Sequence, residues 1–158
     1  MKRFRFGLIA VALVVLIGFG CTDEKLSSGT YRLSQVGFSQ DDCNVKENFN
    51  EGHEIDVTVK DSMVAIYMAK DLTPPTGAIL GDTFMAVASR SSDVIPDTDC
   101  RDMWIKKVTG KLVKKNVFTG TYEYTDKALS GADCADAEKI GFHPPLCTST
   151  VTFTATKK

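Results

Sequence analysis

Trp104-Ile105-Lys106-Lys107-Val108-Thr109-Gly110-Lys111-Leu112-Val113-Lys114-Lys115-Asn116-Val117-Phe118-Thr119-Gly120-Thr121-Tyr122-Glu123-Tyr124 is the stretch whose reading decides the fold. It is rich in β-branched and aromatic residues. Two turn-forming pairs, Thr109-Gly110 and Lys115-Asn116, divide it into Trp104 to Val108, Lys111 to Lys114 and Val117 to Tyr124. Connections this short leave no length for a crossover helix, so the spacing predicts a meander of antiparallel strands.

Working outward, the same signal recurs on both sides. Ile55 to Lys60 alternates strictly, and Asp61-Ser62 turns it into Met63 to Met68, a predicted β-hairpin. Gly29 to Val36 and Thr83 to Ser89 read as further strands. At the far end Val151, Phe153 and Ala155 share one face while Thr150, Thr152, Thr154 and Thr156 share the other, so one face is core and one is wet. Between these lie a polar loop at 39–53 with one helical turn, a connection at 70–82 carrying Pro74-Pro75 and a small apolar island, Ala78-Ile79-Leu80, and a polar loop at 90–101. The small-residue acidic stretch after Tyr124 holds a short predicted helix at 133–139. The fold class is therefore all-β: a single antiparallel meander domain of about seven or eight strands, either a sandwich or an up-and-down barrel. Gly29-Thr30-Tyr31 resembles the Gly-x-Trp opening strand of lipocalin-like barrels, with Tyr in place of Trp. That likeness implies a barrel enclosing a small apolar ligand.

The N-terminus carries a different message. Met1-Lys2-Arg3-Phe4-Arg5 is a short cationic head, and Phe6 to Gly20 follows without a charge, the n-region and h-region of a secretory signal. The run is short for a membrane span and is interrupted by Gly7, Gly18 and Gly20. Leu16-Ile17-Gly18-Phe19-Gly20-Cys21 resembles a bacterial lipobox, matching at Gly20 and Cys21 and departing where Gly18 replaces the usual Leu. The resemblance implies cleavage before Cys21 and acyl chains, palmitate among them, on that cysteine. It places the protein in the cell envelope, bound to the membrane by lipid. Thr22 stands where an Asp would resemble the inner-membrane retention signal of enteric bacteria, and the same resemblance therefore implies the outer membrane. Residues 1–20 are thus read as signal peptide, 21–28 as a lipid-anchored tether and 29–158 as the β domain.

Removing residues 1–20 from the 158 leaves 138, enough for one core. The signal holds Lys2, Arg3 and Arg5, so 16 basic residues face 20 acidic ones, a formal charge of about −4. Such a balance argues against a nucleic-acid partner. Of the cysteines, acylation of Cys21 leaves an even set, Cys43, Cys100, Cys134 and Cys147, and export permits two disulfides. Cys134 and Cys147 bracket one loop between predicted neighbouring strands, which suggests that bridge and leaves Cys43 with Cys100.

Motifs for chemistry are few. His53-Glu54 begins His-Glu-x-x-His, but Val57 stands where the second His belongs, and His143 lies far off in a loop. Asp97 to Asp102 opens like a calcium loop, yet Asp102 replaces the required Gly and Val108 the final Glu; a looser site would need Asp93, Asp97, Asp99 and Asp102. There is no Gly-x-Ser-x-Gly elbow and no phosphate-cradling loop, so the reading is non-enzymatic, with no cofactor and no metal. Trp104 with Lys106, Lys107, Lys111 and Lys114 forms a candidate surface patch for an anionic glycan or headgroup; lysines of this kind also guard exposed edge strands. The bulky residues Trp104, Phe118, Tyr122, Tyr124 and Phe153 compete for the interior. They favour a filled core. The expectation is a lipid-anchored interaction or structural module meeting an envelope protein or glycan, with the ligand carrier as the alternative.

Overall fold

The computed structural model describes residues 25–68, 73–93, 99–131, 134 and 147–158. Eight strands run in chain order: β1 Gly29–Asp41, β2 Glu54–Lys60, β3 Met63–Met68, β4 Thr76–Leu80, β5 Thr83–Asp93, β6 Arg101–Lys114, β7 Val117–Ser130 and β8 Cys147–Lys157. Each pairs antiparallel with the next, and β8 returns to pair with β1, closing an up-and-down barrel. The choice between sandwich and barrel is thereby made. Closure also removes the edges that lysines were expected to guard.

One end of the barrel is tightly turned. Three two-residue turns, Asp61-Ser62, Gly81-Asp82 and Lys115-Asn116, link β2 to β3, β4 to β5 and β6 to β7. Asp61, Gly81 and Asn116 supply the left-handed backbone these turns need, at φ 55°, 63° and 63°. At the opposite end the connections are longer, residues 42–53, 69–75, 94–100 and 131–146. The first of them holds the expected helical turn, as a 3-10 helix at Val45–Asn48.

Several sequence expectations change. Residues 70–82 were read as a connection, yet Thr76–Leu80 is a strand in register with β5. Gly77 makes this approach workable, because a Cβ there would run into the Met85 carbonyl. Thr109-Gly110 was read as a turn, but β6 runs through it unbroken. Gly110 stands opposite Gly120, and the Phe84 and Phe153 rings lie against the two glycines where side chains would otherwise be. The expected tether also shortens: Leu26 is buried to 5% exposure in the core. Ser27 Oγ donates to Asn116 and lies beside the Tyr31 hydroxyl, while Ser28 Oγ accepts from the Val59 amide at 2.7 Å.

The disulfides join Cys43 to Cys147 and Cys100 to Cys134, not Cys134 to Cys147 and Cys43 to Cys100. Barrel closure is the reason. Asp41 of β1 stands opposite Ser149 of β8, which brings Cys43 beside Cys147 with Cα atoms 5.1 Å apart. Both bridges sit at the long-loop end. They close separations of 104 and 34 residues, which stabilises by roughly 4 kcal/mol each if the effect lies in the entropy of the unfolded chain.

Inside, the tightly turned half is filled. Phe118 is the hub: its ring lies 5.3 Å from Tyr31, 5.2 Å from Phe84 and 6.1 Å from Phe153, tilted or edge-on as aromatic quadrupoles prefer. Leu33, Ile55, Val64, Ile66, Val108 and Val151 complete the packing around these rings.

Candidate binding site at the barrel mouth

Strand alternation decides what reaches the mouth. On β6 the buried Val108 and Leu112 mark the even positions as inward, so Trp104 and Lys106 also face the interior, two and one steps nearer the long-loop end. Their partners on β7 are inward too: Tyr122 opposite Val108, Tyr124 opposite Lys106 and Asp126 opposite Trp104. The β1–β2 connection folds Val45, Asn48 and Phe49 over the same space, and Phe49 stacks on Tyr122 at 4.7 Å. Met68 from β3 and Cys43 complete the wall. The result is a cup of about 690 Å³, within the range of small-molecule pockets.

Charge enters this aromatic cup at one point of its lining. Lys106 Nζ lies 4.6 Å from the centre of the Trp104 ring, a cation–π contact that aims the ammonium across an apolar wall. Beyond it, two carboxylates meet at the rim. Burial, and next the hydrogen bond with the Asp102 carboxyl, push the Asp126 carboxyl up to about 6. One oxygen of each, Oδ1 of Asp102 and Oδ1 of Asp126, is buried without a hydrogen-bond partner. Stacking surfaces with one cation in the lining and two carboxylates at the rim suit an aromatic or apolar group that carries a polar substituent.

The candidate lysine patch divides across the barrel wall. Trp104 and Lys106 line the cup. Lys107 points outward and donates to Glu123 Oε2 at 2.9 Å, and Lys111, also outward, lies 3.6 Å from Asp82. Lys114 is exposed at the tightly turned end. Cys21, His143 and Asp97 lie outside the described residues, as does the expected helix at 133–139 apart from Cys134. His53 is the last residue of the β1–β2 connection, its ring 6.5 Å from that of Phe49. Among the described residues no three His, Cys, Asp or Glu side chains converge to hold a metal ion. Phe49, Val45 and Met68 were missed by sequence reasoning. Phe49 had a signal: it is the one aromatic between Asp41 and His53, in a stretch otherwise mostly polar.

A second hollow, about 620 Å³, lies on the outer wall over Gly110 and Gly120, among Thr109, Thr119, Thr121, Thr152 and Thr154. It has no charged or aromatic anchor beyond Lys111 and the ring edges beneath the glycines. Comparison with protein-family models, curated proteins and solved structures returns no match. The mouth is therefore read from its own chemistry.

Proposed function

We propose that this chain is an exported envelope lipoprotein, held at the membrane through acylated Cys21, that works as a non-enzymatic binding module with the barrel mouth as its contact surface. The observation that carries the reading is the cup itself: Trp104, Tyr122, Tyr124 and Phe49 around Lys106, at one end of a barrel whose other end is packed solid. Aromatic residues that present a face and one charge are what recognition surfaces concentrate. The filled half argues against a ligand swallowed deep into the barrel. An envelope protein or glycan presenting an apolar or aromatic face with a polar group beside it is the partner this cup fits.

Photo-crosslinking from within the native envelope tests it. A photoreactive residue at Asn48, on the cup, is expected to capture a partner that the same residue at Thr119, on the outer wall, does not. Trp104→Ala is expected to abolish that capture while leaving the fold intact. Equal capture from both positions would remove the mouth as the contact surface.

The carrier reading keeps one supporting observation, a cup volume large enough for a small molecule. Native mass spectrometry of the full chain separates the two. Extra mass that disappears on denaturation favours the carrier, whereas a bare chain with a captured macromolecule favours the interaction module.

A further inference from the structure

The tightly turned end is unlike the usual hairpin end of a water-exposed barrel. Leu80, Val113 and Met63 are 74%, 61% and 52% exposed, and each adjoins or nearly adjoins one of the two-residue turns. They lie on the outer face of neighbouring strands: Met63 stands opposite Ala78, Ala78 opposite Met85, and the Leu112 amide bonds to Asp82 of the β4–β5 turn. Met85, itself exposed, extends the patch. Turn tips face water in most soluble domains, so large apolar side chains gathered there mark a contact.

Two further observations say what the contact is. The first is where the chain enters. Leu26 is buried and Ser27 is bonded to Asn116 of the β6–β7 turn, so the chain enters the barrel at this same end. Only Thr22 to Lys25 separate it from Cys21, a reach of at most about 14 Å when extended. The second is charge. Lys60, Lys114, Lys115 and Lys157 cluster at this end against Asp61 and Asp82, with Lys158 paired to Glu54 at 2.9 Å. At the mouth end Asp41, Asp42, Glu47, Glu51, Asp99, Asp102 and Asp126 stand against Lys46, Arg90, Arg101, Lys106 and Lys127, so the excess of lysine belongs to the tightly turned end. Apolar side chains rimmed by lysines match an anionic lipid surface, where the former enter the interfacial layer and the latter meet the headgroups.

We propose that the barrel seats its tightly turned end on an anionic lipid bilayer, with Leu80, Val113 and Met63 entering the headgroup layer and the mouth directed away from the membrane. This rests on the reading of Cys21 as the lipid anchor, which the test keeps separate. A barrel held so close to its anchor, and gripped by its own surface, stands upright. Its cup then opens toward whatever approaches from the aqueous side.

The test uses the full chain in vesicles of phosphatidylethanolamine and phosphatidylglycerol containing lipid brominated near the headgroup. Trp104 is the single tryptophan and reports the mouth; Leu80→Trp in a Trp104→Phe background reports the seat. The seat tryptophan is expected to lose more than half its emission and Trp104 almost none. Equal quenching at the two positions, or quenching of Trp104 alone, overturns the proposal. Reversing charge at Lys60, Lys114 and Lys115 to Glu is expected to weaken partition of unacylated chain onto these vesicles by at least about tenfold, and no change counts against it. Mass spectrometry of the same preparation reads acylation of Cys21 on its own. Acylated chain unquenched at position 80 removes the seat and keeps the anchor, whereas unacylated chain quenched there removes the anchor and keeps the seat.

Discussion

The two ends of this barrel solve opposite problems with the same strands. At the tightly turned end, each hairpin turns in two residues, three aromatic rings meet around Phe118, and Leu26 closes the bottom. At the mouth the connections lengthen, two disulfides tie them to the barrel, and inward positions on β6 and β7 carry Lys106, Asp102 and Asp126 beside aromatic faces. One end is held by burial and the other by burial together with covalent bonds, since Phe49, Met68 and Tyr122 carry the core up to the cup. Polar side chains share the interior at the mouth, where the cup is open. Stability and binding are thus placed at different ends of one core.

The difference can be attacked from either side, beginning with the largest effect. Phe118→Ala removes the ring that three others touch and is expected to cost about 4 kcal/mol, read by denaturant unfolding monitored by circular dichroism; a loss no greater than that of a surface residue would deny the closed end its role. Replacing Cys43 and Cys147 with Ser should cost roughly 4 kcal/mol, and hydrogen exchange should then rise in 42–53 while the β6–β7 turn keeps its protection. Uniform loss of protection at both ends would mean that they are not separable.

The carboxyl of Asp126 gives a smaller effect of opposite sign. Its native pKa of about 6 lies above the ordinary 3.8, so between those values the folded chain binds more protons than the unfolded one. Stability therefore falls as pH rises from about 4 to about 6, and at neutral pH a charge is kept where burial and Asp102 disfavour it. Asp126→Asn should stabilise the protein at pH 7 by about 1 kcal/mol, allowing for solvent screening at an open mouth, and should flatten that pH dependence. A destabilised Asn variant would mean that the carboxylate is held by partners stronger than its neighbour's repulsion. Smallest of all, Lys106→Gln should change stability by about 0.5 kcal/mol while strongly reducing capture of the partner at the mouth.

The closed end was also the more legible end. Asp61-Ser62 and Lys115-Asn116 were readable as turns because their residues tolerate a left-handed backbone, and β8 was readable from its alternation of apolar residues with threonines. What misled was glycine used for packing: Gly110 reads as a turn when seen alone, but the Phe84 ring that needs the space comes from another strand. The β4 strand hid behind Pro74-Pro75 for a similar reason. The disulfide pairing was not legible, since it follows from β1 lying against β8, a contact between the two ends of the domain that no local pattern states. For the candidate patch, the barrel wall separates residues that the sequence places together. Lys106 and Lys107 are adjacent on one strand and must face opposite sides of the wall, and dividing β6 at Gly110 obscured which side was inward.

Binding at the mouth requires that Lys106 and Trp104 share an open, aqueous cup. Fluorescence of Trp104, the single tryptophan, can be quenched with iodide in the native protein and in Lys106→Gln. An accessible ring beside a cation predicts strong iodide quenching in the native chain and a marked drop on removing the ammonium. Emission untouched by iodide in both proteins would place Trp104 inside a sealed core and contradict the mouth as a binding surface.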